Sequence, residues 1–323
     1  MKLSLLPVLI ISGMMSGAAA LPAQDFPAVA ADRAEAAAGF ALKGDAPGWL
    51  FLRDDVTHAS KVPFWKTGPS PALPIITTFR ETLKAAGVDL VLVPVPSKAA
   101  VYPDKLVEGT PPDAVPSSAP FLEALKTTGA TIVDLETPFR TSRDRTSVFC
   151  ATDSHWSPAG ISLAVEAITA VPAVAGLAKP GPIVSGAPAT LAITGDLAAS
   201  PGLEGTPREE LTLTKSGSGA ASAPIPVPAA TTGSSIILMG DSHTMVFTDG
   251  ASLGMHCQGA GLRDQLQAQL GFPLMQLSNQ NSGGTGARRL LSQRILANPD
   301  YLKEVKVVVW VFSVREFTLG KWR

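Results

Sequence analysis

The chain reads as an α/β protein with a mostly parallel central sheet held between two layers of helices, and three observations predict it. Two β-branched runs, 88–95 and 305–312, are apolar without alternation, the pattern of strands covered on both faces. Segments with helical periodicity fall between the strand candidates, and strands alternating with helices imply parallel pairing through crossover helices. The 323 residues are 46% hydrophobic and 16% charged, enough to bury a sizeable core in one large domain or two ordinary ones.

Taken in order, residues 1–20 carry Lys2, an apolar stretch and Ala18-Ala19-Ala20, the small-x-small ending that a signal peptidase requires. Export with a mature chain from residue 21 is therefore expected. A retained anchor is the alternative, but Pro7, Gly13, Ser16 and Gly17 interrupt a stretch barely long enough to span a bilayer. Further strands are expected at 131–135, 235–239 and 274–277, and helices at 74–86, 120–127, 157–170, 262–270 and 286–296. Ser157-Pro158 is a helix start by chemistry, a serine cap followed by proline in the first helical position. Residues 173–234 turn to Ala, Pro, Gly, Ser and Thr, a composition that builds little core. They are expected to form an irregular insertion with a hairpin near 210–215. With 29 Gly and 28 Pro, connections should be long, and no fixed-period repeat points to a solenoid or propeller.

The chemistry concentrates in two places. The apolar run Ile236-Ile237-Leu238-Met239 leads into Gly240-Asp241-Ser242, so the serine falls at the carboxyl edge of the sheet, where α/β proteins bind ligands. Glycine lets the backbone turn sharply there, beside N–H groups suited to an oxyanion. An ordinary turn capped by Asp and Ser is the plainer alternative. The second place is Asp153-Ser154-His155. Residues two apart in an extended loop point to one side, so the Asp153 carboxylate can hold one ring nitrogen of His155 and leave the other free. A serine nucleophile needs that arrangement, while a helix cap and a satisfied histidine are the plainer roles. His243 is expected at the pocket rim or turned away, and His58 and His256 are expected to be incidental. No spacing of ligands suggests a metal.

Six blocks in order carry a family resemblance. They are Gly48-Trp49-Leu50-Phe51-Leu52; Val93-Pro94-Val95-Pro96-Ser97-Lys98 with Tyr102-Pro103-Asp104; Asp153-Ser154-His155-Trp156; Gly195-Asp196-Leu197; Gly240-Asp241-Ser242; and Val308-Val309-Trp310 with Arg315. Over about residues 46–316 the chain resembles the alginate O-acetyltransferase family. The resemblance implies a three-layer α/β/α SGNH-hydrolase-like domain, a periplasmic location and the Asp and His preceding the serine. It implies Ser242 as nucleophile, His155 as base and Asp153 as its orienter. The acetyl group would then pass through an acetyl-serine to hydroxyls of an exopolysaccharide, alginate or a similar polymer, with no organic cofactor. It also implies a membrane-bound O-acyltransferase as acetyl supplier. An acetyl esterase or a catalytically silent polysaccharide-binding protein are the rival readings.

Candidates for the oxyanion or for substrate are Gly240, Asn281, Arg288, Arg289, Lys98, Tyr102 and Trp156. Asn281 precedes the glycine-rich helix start 282–287, whose N–H groups and dipole suit an oxyanion or a uronate carboxylate. With 26 Lys and Arg against 27 Asp and Glu there is no basic footprint for nucleic acid. Grip on an anionic polymer would have to be local, through Arg288, Arg289 and Lys98 on the catalytic face rather than an appended carbohydrate module. A neutral glucan would instead need an aromatic platform, with Trp156 nearest. Cys150 and Cys257 stand close to Asp153 and Ser242 in the chain, so convergence of these segments in an oxidising compartment would allow a disulfide; two free thiols are the alternative.

Overall fold

A computed structural model describes residues 25–68 and 70–322; the expected signal segment lies outside them. Among the described residues nine strands form: β1 (Ala41–Lys43), β2 (Leu50–Leu52), β3 (Asp89–Val95), β4 (Thr131–Ile132), β5 (Val184–Ile193), β6 (Glu209–Gly217), β7 (Ile236–Gly240), β8 (Met275–Ser278) and β9 (Val307–Ser313). Five of them make the central sheet in the order β4-β3-β9-β7-β8, and every neighbouring pair is parallel. All seven residues of β9 are buried, as is β3 beyond Asp89, which is why neither run alternates between apolar and polar.

Successive side chains of these strands feed opposite faces. Val91, Val93, Leu238, Val307, Val309 and Val311 pack on one side with Ile161, Ala164 and Ile168 of the helix Pro158–Thr169 and Leu262, Leu266 and Leu270 of the helix Leu262–Leu270. Leu90, Leu92, Ile237, Met239, Val308 and Trp310 pack on the other. Their partners are Ile76, Phe79 and Leu83 of Ala72–Ala85, Phe121 and Leu125 of Ala119–Lys126, and Leu291 of Gly283–Ala297. The result is the three-layer α/β/α arrangement expected. Ser157 caps its helix as predicted, its Oγ accepting the N–H of Gly160 at 3.2 Å.

Two expectations need correction. The strand expected at 131–135 stops at Ile132 because Asp134 Oδ1 accepts the N–H groups of Glu136 and Thr137 and turns the chain into the helix Glu136–Ser142. The insertion is also more regular than its composition suggests, since β5 and β6 pair antiparallel along almost their whole length. Backbone pairing needs no hydrophobic pattern, and Leu211 and Leu213 suffice to seat the hairpin on the core. The chain beyond it touches the sheet edge at the start of β8, where Ala230 N–H donates to Leu274 O at 2.8 Å. No helix among the described residues is long and apolar enough to cross a membrane.

Candidate active site

Gly240 ends β7 so close to β9 that a Cβ there would lie 2.4 Å from Val311 O; glycine at this position is demanded by packing. The chain then turns through Asp241 into Ser242, which is 7% exposed and whose Oγ makes no hydrogen bond among the described residues. Asp241 Oδ1 accepts both the backbone N–H and Nδ1–H of His243 at 2.9 Å, and Oδ2 accepts the N–H of Ser313 at 3.2 Å. Burial works against the Asp241 anion, but His243 and Arg315 outweigh it and hold the carboxyl below its ordinary range. Thus His243 does not lie at a rim. It is buried, and its ring lies 5.0 Å from that of His155, bringing the two conspicuous segments together.

His155 forms the expected dyad. Its Nδ1–H donates to Asp153 Oδ1 at 2.6 Å and its backbone N–H to the same oxygen at 3.0 Å, leaving Nε2 as the basic nitrogen. Burial would lower the His155 pKa, yet the adjoining Asp153 carboxylate raises it above the usual histidine value. Asp153 in turn is held well below its ordinary value: His155 and His256 overcome a large burial penalty.

Four side chains hold the Asp153 loop, and most were not legible as site residues. Lys98 Nζ, 3% exposed at the residue level, donates to Leu50 O at 2.7 Å, Ala151 O at 2.9 Å and Asp153 O at 3.0 Å. Burial pushes its ammonium down to about 8. The Glu209 carboxylate accepts the N–H groups of Ala151 and Thr152. Asp196 accepts Ser154 N–H and Oγ–H, and its own N–H donates to Asp153 Oδ2 at 2.9 Å. His256 Nε2–H donates to that same oxygen at 2.9 Å. Gly195-Asp196-Leu197 signalled a resemblance, but nothing in its chemistry named Asp196 as a partner of this loop; Glu209 and His256 gave no signal at all. Asp153, His155 and Asp196 place three potential metal-ligand atoms within 4.8 Å of one another, although Asp153 Oδ1 and His155 Nδ1 are already engaged with each other.

The remaining candidates divide. Lys98 does not line a groove; its ammonium belongs to the loop. Tyr102 is likewise buried, its hydroxyl accepting Val148 N–H at 2.9 Å under the Arg143 guanidinium. Trp156 is fully buried against His243 and offers no platform to a sugar. Both cysteines are free, and Cys150 is instead buried with its thiol toward Trp156 O. Asn281 sits exposed at φ 57°, on a loop tied to the nucleophile turn through Asn279 N–H and Gly240 O at 3.1 Å. Beyond it, the start of the helix Gly283–Ala297 already holds an anion, since Gly284 N–H donates to Glu316 Oε2 at 3.2 Å. Arg288 is half-buried and Arg289 exposed along the same helix. A groove of about 480 Å³ lined by Phe64, Pro71, Phe317 and Thr318 opens past the end of β9 without touching Asp153, His155 or Ser242.

Gly195 shows how tight the loop is. A Cβ there would lie 2.1 Å from Thr152 O and 2.5 Å from Asp153 N, so Gly195→Ala must push the Asp153 loop outward. The expected result is a destabilisation of about 1–3 kcal/mol with a disproportionate fall in turnover, read from urea unfolding and esterase assays side by side.

A parallel three-layer sandwich with Gly-Asp-Ser at a central strand end, facing an Asp-x-His loop, defines an SGNH hydrolase-like protein. The family model described as the SGNH hydrolase-like domain of acetyltransferase AlgX matches residues 43–314, and the chain belongs to that family. Among solved structures, it resembles the O-acetyltransferase domain of Pseudomonas putida AlgJ with a TM-score of 0.60 at 21% identity, covering 87% of this chain and 93% of that one. It resembles Pseudomonas aeruginosa AlgX with a TM-score of 0.58 at 17% identity, covering 84% and 62%. A sequence relative, the probable alginate O-acetylase AlgJ of Pseudomonas aeruginosa, is 29% identical over 129 residues, which are 38% of this chain and 31% of the relative. The match therefore spans about a third of that relative's length.

Proposed function

We propose that this protein is an O-acetyltransferase that acts outside the cytoplasm and moves acetyl groups onto hydroxyls of an exopolysaccharide, alginate or a related uronate polymer. The observation that carries the reading is the His155–Asp153 dyad set against the turn of Ser242, with Nδ1 tied to the carboxylate and Nε2 left basic. Family membership supports the acetyl chemistry.

In the proposed cycle His155 Nε2 takes the proton of Ser242 Oγ as the oxygen attacks the acetyl carbonyl, and Asp153 stabilises the imidazolium that forms. Collapse of the tetrahedral adduct passes that proton to the donor's leaving group and leaves an acetyl-serine. A sugar hydroxyl then gives its proton to His155 and attacks the acetyl carbon, and collapse of this second adduct releases Ser242 as His155 returns the proton to its Oγ. The backbone N–H of Ser242 and the side chain of Asn281 are the proposed oxyanion donors. No organic cofactor enters this cycle, and a membrane-bound O-acyltransferase is the proposed source of acetyl groups.

The test is to supply 4-nitrophenyl acetate with mannuronate oligomers or with a neutral glucan oligomer, at low and high salt. Acetylated mannuronate that declines as salt rises is expected, because exposed cations such as Arg289 are screened over about 8 Å at physiological ionic strength. Release of acetate at one rate with or without any sugar would make the protein an esterase. Acetylation of the glucan alone, indifferent to salt, would exclude a uronate acceptor.

A further inference from the structure

The Asp153 carboxylate serves two imidazoles. Its Oδ1 faces His155, while its Oδ2 receives Nε2–H of His256 at 2.9 Å. His256 arrives from the loop that follows Ser242, 103 residues further along the chain than Asp153. Its backbone takes the left-handed conformation, φ 64°, uncommon outside glycine, and its ring leans on Phe247 with centroids 5.3 Å apart. Only 10% of its side chain is exposed. We propose that His256 is a positioning residue for the acetyl-transfer reaction: by holding the outer oxygen of Asp153 it fixes the carboxylate toward His155 and shares its negative charge, setting how basic His155 is. The proposal rests on the Ser242–His155–Asp153 reading of the site.

The physical argument is a division of charge. A carboxylate that accepts hydrogen bonds from several N–H groups is a weaker partner for each of them. Asp153 Oδ2 is shared between His256 and the Asp196 N–H, so less of the anion remains for His155. Removing the His256 donor leaves a more basic carboxylate, which holds the His155 imidazolium more tightly and raises its pKa. The other groups facing His155 are Asp196, 4.0 Å from Nδ1, Asp241 as a more distant anion, and the His243 ring. Lys98 bonds the Asp153 carbonyl, and none of these changes with residue 256. A role in packing alone would alter folding and the amount of active enzyme but leave the pH at which His155 titrates untouched.

The experiment compares full-length wild type, His256→Ala and His256→Gln on 4-nitrophenyl acetate across pH, with Ser242→Ala and His155→Ala as controls. Glutamine keeps an N–H donor at the reach of Nε2. For His256→Ala, kcat/KM should fall on the order of tenfold, the scale seen when support behind a working imidazole is removed. Its acid limb should move upward by about half a pH unit, the equivalent of one net hydrogen bond. Glutamine should restore most of both. Because the midpoint does not depend on enzyme concentration, partial misfolding of the alanine variant cannot mimic the shift. An acid limb identical to wild type in His256→Ala, or a glutamine variant indistinguishable from alanine, overturns the proposal while leaving the triad standing. Activity surviving in both Ser242→Ala and His155→Ala overturns the triad, and with it the role given to His256.

Discussion

Ser242→Ala is expected to abolish acetyl transfer and acetyl-enzyme formation together, with a loss in kcat on the order of 10⁴-fold or more. His155→Ala should be nearly as severe, because nucleophile and base act as one unit and removing either removes both functions. Asp153→Ala should be milder, by about a hundredfold: Nε2 survives, but Nδ1 loses the anion that fixes its tautomer. Three measurements check this set: steady-state acetate release, transfer to a mannuronate oligomer, and mass spectrometry of the quenched enzyme for an acetylated Ser242 peptide. Wild-type acetylation found at another residue, or a Ser242→Ala variant that still transfers, would remove the nucleophile assignment.

The second large effect is expected at Lys98. Methionine matches the length of the side chain but not its charge, so Lys98→Met takes the ammonium from the buried carbonyls of Leu50, Ala151 and Asp153, of which Ala151 O keeps the Leu50 N–H at 2.9 Å. Taking one partner from such a buried, charge-assisted set costs about 3–5 kcal/mol, a large share of the 5–15 kcal/mol that a typical domain possesses. The aromatic faces of Trp49 and Phe51, each a little over 5 Å from Nζ, lose their cation as well. Urea unfolding should show the loss in midpoint, and kcat/KM should fall further than the folded fraction explains, because the Asp153 carbonyl is released. A change under about 1 kcal/mol would mean that water or a neighbouring N–H group satisfies the three carbonyls.

What was legible in the sequence follows from what side-chain pattern can encode. The central strands were plain because burial on both faces leaves an apolar run, and the helices because one face of each must meet the sheet. Asp153 and His155 were legible since their pairing is local, two residues apart. Lys98 was noticed but read as a grip for polymer on the catalytic face, since a lysine is ordinarily exposed; only the fold shows three carbonyls converging on its ammonium. The disulfide failed for a related reason. Nearness in the chain to two residues that meet says nothing about where neighbouring side chains point, and Cys150 points inward to the Trp156 carbonyl. Asp196, Glu209 and His256 were hidden because each acts across more than 40 residues of chain, from a segment whose own composition suggested irregular linker or incidental loop. The β5–β6 hairpin was underestimated because its cohesion comes from backbone pairing among alanines and threonines, which leaves little hydrophobic pattern to read.

The tethers of the Asp153 loop also bear on how the site comes into being. They reach to Leu50 and Lys98 on one side and to Asp196, Glu209 and His256 on the other, closing loops of 42 to 103 residues. Closing loops of that size carries an entropy that local helices and turns do not have to overcome. The arrangement of Asp153 is therefore a product of the completed topology: no piece of chain shorter than the span from Leu50 to His256 contains all its restraints, and helices and strands can form before the catalytic loop has its shape. In this protein the order of the active site requires the whole span from Leu50 to His256 to be in place.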